Sequence, residues 1–360
     1  MKKIRVALLF GGKSAEHEVS LQSAKSIVEA IDTDKYEIVL IGIDKEGRWL
    51  LNNQSAYLLN ENNPKLISLN KSNNELAVLP GDKKQMVSLS DAAIDRVDVV
   101  FPVLHGTLGE DGAMQGLLKI MDVAFVGADV LGSAVGMDKD VMKRLLRDAG
   151  IPIGKFITLK RGESVSFADA QKVLGLPMFV KPANQGSSVG VHKIHDASEF
   201  DSFIKDAFHY DNKILLEEFI DGREIECAVL GNDDPKASVL GEIIPHHEFY
   251  SYEAKYIDAD GAGLQIPANV PKDLAGEMQQ MAIKTFKTLN CEGMARVDCF
   301  LTRDKKIYVN EINTLPGFTK ISMYPKLWEA SGVTYTDLID KLIMLAIERH
   351  ERSKELKTSF

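Results

Sequence analysis

A lysine that closes an apolar strand and opens a loop of small residues is suited to holding phosphate, and residues 178–190 have that order. Met178, Phe179 and Val180 read as the strand and Lys181 supplies the cation. Gly186 and Gly190 let backbone approach a ligand with no Cβ in the way. The same run also reads as a tight turn between two strands. More than a hundred residues further on, 295–301 and 307–313 read as two strands joined by a polar turn. Alternate residues of a strand share a face, so Arg296 goes with Asp298, and Glu311 with Asn313. If the register opposes 298 to 311 and 296 to 313, two carboxylates and an amide meet on one surface. Such hard oxygen donors suit Mg²⁺ completed by nucleotide phosphates rather than an all-protein cage. Solvated charge on a surface hairpin is the other reading of these residues.

Those groups need elements to hold them. The chain opens with an apolar run over 4–10, a glycine turn, a helix-period pattern over 18–31 and a second apolar run over 36–43. This is a βαβ unit, hence a parallel sheet with a right-handed crossover. Gly12, Lys13 and Ser14 do not make a P-loop, because that motif's first glycine would fall at Ala7, inside the strand. Residues 98–104 form another buried strand, with His105 just past its carboxyl end, where open α/β sheets place ligand sites. The Asn-rich stretch within 52–97 reads as an elaborated edge with short strands. Residues 127–136, rich in small side chains, read as the exit from the first domain, and a helix over 140–149 opens the second. Further helices fall at 166–174, 196–207, 271–289 and 336–349, and strands at 213–220 and 223–230. The charged tail from Glu351 reads as frayed. The expected architecture combines α/β and α+β parts, with domains at 1–136, 137–212 and 213–360.

The 360 residues, 45% hydrophobic and 26% charged, leave room for two or three domains. A net charge of -9 argues against nucleic acid or an anionic membrane as the main partner. Cys227, Cys291 and Cys299 lack CxxC spacing and fit free thiols in a reducing compartment better than disulfides or zinc. The apolar run behind Met1, Lys2 and Lys3 stops at Gly11, too short for a signal peptide or a membrane span, so a cytoplasmic protein is expected. His192, His195, His246 and His247 lack partners at metal-binding spacing.

Several short motifs, taken in order, carry a resemblance: residues 11–20, 105–112, 137–139, the Lys181 loop, 252–256, 296–298 and 310–319. They span most of the chain and resemble the ATP-grasp superfamily and, within it, the D-alanine–D-alanine ligases. The resemblance implies a Rossmann-like parallel-sheet domain followed by a two-lobed ATP-grasp fold. It also implies ATP as substrate, two Mg²⁺ ions with Mn²⁺ as a substitute, a homodimer, and the joining of two D-alanines through an acyl phosphate toward a peptidoglycan precursor.

By motif match, Lys139 and Lys181 hold the α- and β-phosphates and Lys255 the γ-phosphate, while Asp298, Glu311 and Asn313 bind the metal ions. Arg296 offers a planar fork to the transferred phosphoryl group and the oxyanion, with the Gly317 N–H as a second donor. Glu217 and the backbone of Phe219 and Ile220 fall at the adenine edge, Glu224 at the ribose hydroxyls, and Ser188 and Asn310 belong to the ATP-binding set. Glu16 meets the first D-alanine's ammonium with His105 beside it. Ser187 and Tyr256 link Glu16 across the cleft, and Ser322 and Met323 line the pocket for the second D-alanine's carboxylate. Residues 246–263 are expected to form a lid that brings Lys255 and Tyr256 to the site.

The nearest rival is a ligase using D-lactate as acceptor, against which Tyr256 counts, since in the resembling family depsipeptide enzymes carry a different side chain there. An ATP-binding regulator that had lost its chemistry would lack one of Arg296, Asp298, Glu311 or Asn313, and all four are present. A periplasmic-type binder is disfavoured by the missing signal peptide.

Overall fold

The computed structural model describes residues 2–72, 74–81, 86–89, 96–245 and 262–357. Its first sheet has the strand order β3-β2-β1-β8-β9. β1 (Ile4–Gly11) lies at the centre, parallel to both β2 (Tyr36–Ile43) and β8 (Val99–Val103). A strand covered on both faces must be apolar nearly throughout, which is why its sequence does not alternate. β9 (Ala124–Phe125) continues the parallel set, and β3 (Trp49–Asn52) closes the other edge antiparallel to β2. Two short hairpins, β4 (Leu58–Leu59) with β5 (Ser68–Leu69) and β6 (Leu76–Val78) with β7 (Met86–Ser88), form the expected edge elaboration.

The helices of this part are α1 (His17–Ala30), α2 (Ala113–Ile120) and α3 (Val130–Met137). α3 occupies most of the small-residue stretch over 127–136. The small residues there serve close packing: a Cβ on Gly132 would stand 2.7 Å from the carbonyl oxygen of Asn290.

A second, antiparallel sheet has the order β10-β13-β11-β12. Its strands are β10 (Phe156–Lys160), β11 (Met178–Pro182), β12 (His192–Ile194) and β13 (Lys213–Glu218). With α5 (Phe167–Leu174) and α6 (Ala197–Tyr210) it encloses a core of its own. α4 (Lys139–Asp148) precedes it, capped by the Asp138 side chain. Since β13 pairs with β10 and β11, this unit runs past the expected boundary at 212 to Glu218, and the strand expected to reach Ile220 stops there.

The third sheet, antiparallel in the order β16-β15-β14-β17-β18, comprises β14 (Gly222–Gly231), β15 (Lys236–Pro245), β16 (Ala262–Gln265), β17 (Gly293–Thr302) and β18 (Ile307–Asn313). One face, with Ile225, Cys227, Val297 and Ile312, packs on Met278 and Phe286 of α7 (Lys272–Thr288). At one end of the opposite face Ala228, Leu230 and Met294 join a core with the first sheet, α8 (Met323–Ala330) and α9 (Tyr335–Lys354). α9 runs beyond Glu351 instead of fraying: Arg352 pairs with Asp233 and Glu292, and buried Arg349 donates to the carbonyls of Phe125 and Gly127. The three cysteines are buried free thiols. Among the described residues no helix is long and apolar enough to cross a membrane.

Candidate active site

The open face of the third sheet carries the charges. β17 and β18 pair Arg296 with Asn313, Val297 with Ile312 and Asp298 with Glu311, the register that puts Asp298 and Glu311 on one face. A bulge follows at once, so Cys299 faces Val309 and the expected register does not continue along the hairpin. The extra residue is Asn310, and the in–out alternation of β18 breaks there, with Asn310 and Glu311 both partly exposed. A bulge of this kind re-aims side chains at the edge of a site.

On the other side of β17, β14 sets Glu226 opposite Asp298. The Arg296 guanidinium donates from Nε to Asp298 Oδ1 and from Nη2 to Asp298 Oδ2, each at 2.7 Å. Its Nε also lies 2.9 Å from Glu226 Oε2, and Asn313 Nδ2 donates to Asp298 Oδ2 at 3.0 Å. Glu226 had no role in the sequence reading, yet it is a buried counter-charge to Arg296. Two carboxylates and an amide are a hard oxygen set that fits Mg²⁺ with phosphate oxygens completing the coordination. Among the described residues no group of three or more His, Cys, Asp or Glu side chains is placed to hold a metal ion.

Lys139, in the first turn of α4, donates to the Gln185 carbonyl at 2.7 Å and stands 3.8 Å from Glu311 Oε2. Burial holds its ammonium below the usual lysine range, against the pull of Glu311. Lys181 lies 2.6 Å from Glu217 Oε2, and Lys143, absent from the sequence reading, lies 3.1 Å from Glu217 Oε1. Burial opposes the charge of Glu217, but Lys143 and Lys181 together keep it below the ordinary carboxylate value.

The first sheet contributes from the carboxyl ends of β1 and β8. Glu16, the residue before α1, accepts from Ser187 Oγ, so the phosphate-loop serine reaches across the cleft. Ser187 and Ser188 have φ of 51° and 61°, a left-handed conformation that costs non-glycine residues about 1–3 kcal/mol each and is kept where the surroundings require it. Gly106 has φ of 73°, and a Cβ there would stand 2.9 Å from Glu16 Oε2, so only glycine allows this approach.

His105 contacts the Leu315 carbonyl through Nδ1 at 3.1 Å and Ser23 Oγ through Nε2 at 3.3 Å. A carbonyl can only accept, so Nδ1 carries the proton; burial holds the ring below its ordinary pKa despite Glu16, leaving Nε2 to accept from the serine. The Ser23 hydroxyl in turn accepts from the Phe318 N–H. His105 thereby ties the end of β8 to the turn that carries Gly317.

Glu110, quoted within a motif but given no part by sequence, also faces this cavity. It accepts from the Gly106 N–H at 2.8 Å, and its carboxyl is pushed up to about 8, first by burial and then by Glu16. An unfolded glutamate titrates near 4.5, so stability present below that pH is lost as pH rises toward 8. Glu110→Gln cannot ionise. The ligand-free variant is therefore expected to gain thermal stability over wild type progressively across that interval, and a difference in Tm that stays constant with pH would count against the buried-carboxyl reading.

Glu16, His105, Lys139, Ser187, Glu224, Arg296, Asp298, Glu311, Asn313, Gly317, Ser322 and Met323 all line one cleft of about 450 Å³. That volume suits small-molecule ligands. Gly317 abuts Ser322 Oγ, which accepts from the Thr319 N–H at 3.0 Å. The Met323 side chain is buried, and a Cβ on Gly241 would stand 2.6 Å from its Sδ. Lys181 and Glu217 sit behind the lining, while Phe219 is exposed beyond the end of β13. Ser188, Ile220 and Asn310 are likewise outside the lining of this cleft. Lys255, Tyr256 and residues 246–261 of the lid expected over 246–263 lie outside the described residues, and its last two, Ala262 and Gly263, open β16.

Two family models match: "D-ala D-ala ligase N-terminus" over residues 5–128 and "D-ala D-ala ligase C-terminus" over residues 145–344. The chain belongs to the D-alanine–D-alanine ligase family. A D-alanine–D-alanine ligase of Oceanobacillus iheyensis is 60% identical to it over 363 residues, covering 100% of this chain and 99% of that one. The solved D-alanine–D-alanine ligase of Coxiella burnetii superposes with a TM-score of 0.85 at 40% identity, covering 99% of this chain and 97% of that one. A D-Ala:D-Ser ligase of Enterococcus faecalis gives the same TM-score of 0.85 at 36% identity, covering 96% of this chain and 100% of that one. In this D-alanine–D-alanine ligase family member the mixed fold, with a largely parallel first sheet and antiparallel sheets after it, is thus the ATP-grasp arrangement.

Proposed function

We propose that this ligase uses ATP to join two D-alanine molecules, releasing ADP and phosphate, as a step toward a peptidoglycan precursor. The observation that carries the reading is the opposed Asp298–Glu311 pair with Arg296 on the same face, lining one cleft with Glu16 and Ser187. In the first step a carboxylate oxygen of one D-alanine attacks the γ-phosphorus, the bond to the β-phosphate oxygen breaks, and an acyl phosphate forms. In the second the uncharged amine of another D-alanine attacks the acyl carbon, a proton leaves nitrogen, and the C–O bond to phosphate breaks.

Lys139 and Lys181 hold the nonreacting phosphates, and Lys255 takes the γ-phosphate by motif match. Arg296 and the Gly317 N–H face the negative charge that develops at the acyl centre. Glu16, oriented by Ser187, anchors the first D-alanine's ammonium. The Thr319 to Met323 turn at the start of α8 receives the second carboxylate, where helix N–H groups favour an anion. Asp298, Glu311 and Asn313 would hold Mg²⁺, which when bound neutralises phosphate charge.

Phosphate release from ATP tests this, measured with D-alanine, L-alanine, or D-alanine mixed with D-serine or D-lactate, with product masses recorded. D-Alanine alone should release one phosphate per dipeptide formed, and L-alanine should give background. A mixed product formed faster than the D-alanine dipeptide would overturn the acceptor assignment.

A further inference from the structure

α4 places Lys139 in its first turn and Lys143 one turn later, on the same side of the helix. Lys143 is among the most enclosed side chains of the protein, 2% exposed, and its Nζ lies 3.1 Å from Glu217 Oε1. It also stands 5.8 Å from the ring centroid of Phe156, the residue opposite Glu217 across β10 and β13. The other Glu217 oxygen, Oε2, is 2.6 Å from Lys181 Nζ. One buried carboxylate therefore sits between two lysines, Lys143 from α4 and Lys181 from β11. Lys139 on α4 and Glu311 on β18 are the next charges beyond them.

The two lysines are not equivalent. Lys181 begins the small-residue loop and, on the reading above, gives its ammonium to a nucleotide phosphate. To do so it must loosen its hold on Glu217, and a buried carboxylate that loses its counter-charge is strongly disfavoured. Lys143 is too enclosed to follow the nucleotide. We propose that Lys143 is a positioning residue for nucleotide binding: it stays on Glu217 and supplies that carboxylate's counter-charge when Lys181 turns to phosphate. The role rests on the assignment of Lys181 to phosphate.

Calorimetric titration of ADP with Mg²⁺ into the full-length enzyme, repeated in buffers of different ionisation enthalpy, separates the possibilities. Lys143→Met is expected to raise the ADP Kd about tenfold or more and to take up close to one additional proton per ADP bound, because Glu217 then enters the complex protonated. Lys143→Gln, which keeps a polar side chain but no charge, should behave in the same way and serves if the methionine variant folds poorly. Lys143→Arg should restore a binding reaction without the extra proton, and Lys143→Met combined with Glu217→Gln should abolish the uptake. Wild-type affinity and proton balance in both Lys143→Met and Lys143→Gln would overturn the proposal. Lys181→Met distinguishes the underlying reading: an unchanged ADP Kd there would sink the phosphate assignment of Lys181, and this role of Lys143 with it. A weakened Kd there, with no proton uptake in the Lys143 variants, would sink the Lys143 role alone.

Discussion

Glu311→Gln is expected to lower kcat on the order of 10³-fold while leaving Tm within a few degrees of wild type. The Glu311 side chain is 28% exposed, and Lys139, 3.8 Å from it, keeps its own hydrogen bond to the Gln185 carbonyl. Little of the folded state therefore depends on the Glu311 charge. The reaction depends on it heavily, because phosphoryl transfer concentrates negative charge beside a residue that would share the metal with Asp298. Glutamine preserves the shape and one oxygen but removes the charge. Steady-state kinetics beside a thermal melt decide the matter: a large fall in Tm with near-normal turnover per folded molecule would make Glu311 a structural residue.

Arg296→Met should fail in both respects. Arg296 lies between Asp298 and Glu226, each only 2% exposed, and its guanidinium engages both carboxyl oxygens of the first and one of the second. Removing one partner from a buried ionic cluster costs about 3–5 kcal/mol, because the remaining charges are left in a poorly solvated place. Turnover should also collapse, since the same fork is needed by the transferred phosphoryl group. A second variant separates the two losses. Adding Glu226→Gln to Arg296→Met removes a stranded charge and should recover part of the lost stability in denaturant titrations, with no recovery of turnover. Wild-type stability in Arg296→Met would show that the carboxylates are well solvated and the cluster is not a buried one.

The bidentate hold of Arg296 on Asp298 bears on the reaction cycle. Both oxygens of Asp298 accept from the guanidinium at 2.7 Å, so a metal ion at Asp298 and a phosphoryl group at Arg296 compete with this pairing. On the proposed function, exchange of that internal partner for ligands would keep each charge compensated with and without substrate, with Glu226 beside Arg296 as a further counter-charge. On the same proposal Lys181, held by Glu217 in this structure, would exchange that partner for a nucleotide phosphate.

Much of this was legible in the chain because it is local. Period-two alternation exposes Arg296 and Asp298 on one face of β17, and the apolar runs of β1 and β2 state that both faces are covered. Helix starts were visible at Ser166 and Asp196, whose side chains accept backbone N–H groups in the structure. The phosphate and metal expectations came from residue type and strand spacing together with the family resemblance. What alternation cannot register is an insertion: the bulge at Asn310 shifts the hairpin register beyond Asp298, and nothing in the local pattern marks it.

The partners of the buried charges were decided by tertiary structure. Glu226 reads as one alternating residue among several on β14, and becomes the counter-ion of Arg296 only because β14 lies beside β17. Lys143 reads as a solvated helix position until α4 packs against β13 and closes it over Glu217. Glu110 acquires its high proton affinity first from burial and then from Glu16, almost a hundred residues earlier in the chain, which folding brings to the same end of the first sheet. The physical reason is the range of the interactions. Periodicity and capping act over one or two turns or a strand's length and leave their mark in neighbouring residues, whereas the dielectric surroundings of a charge are set by whichever distant elements are packed around it.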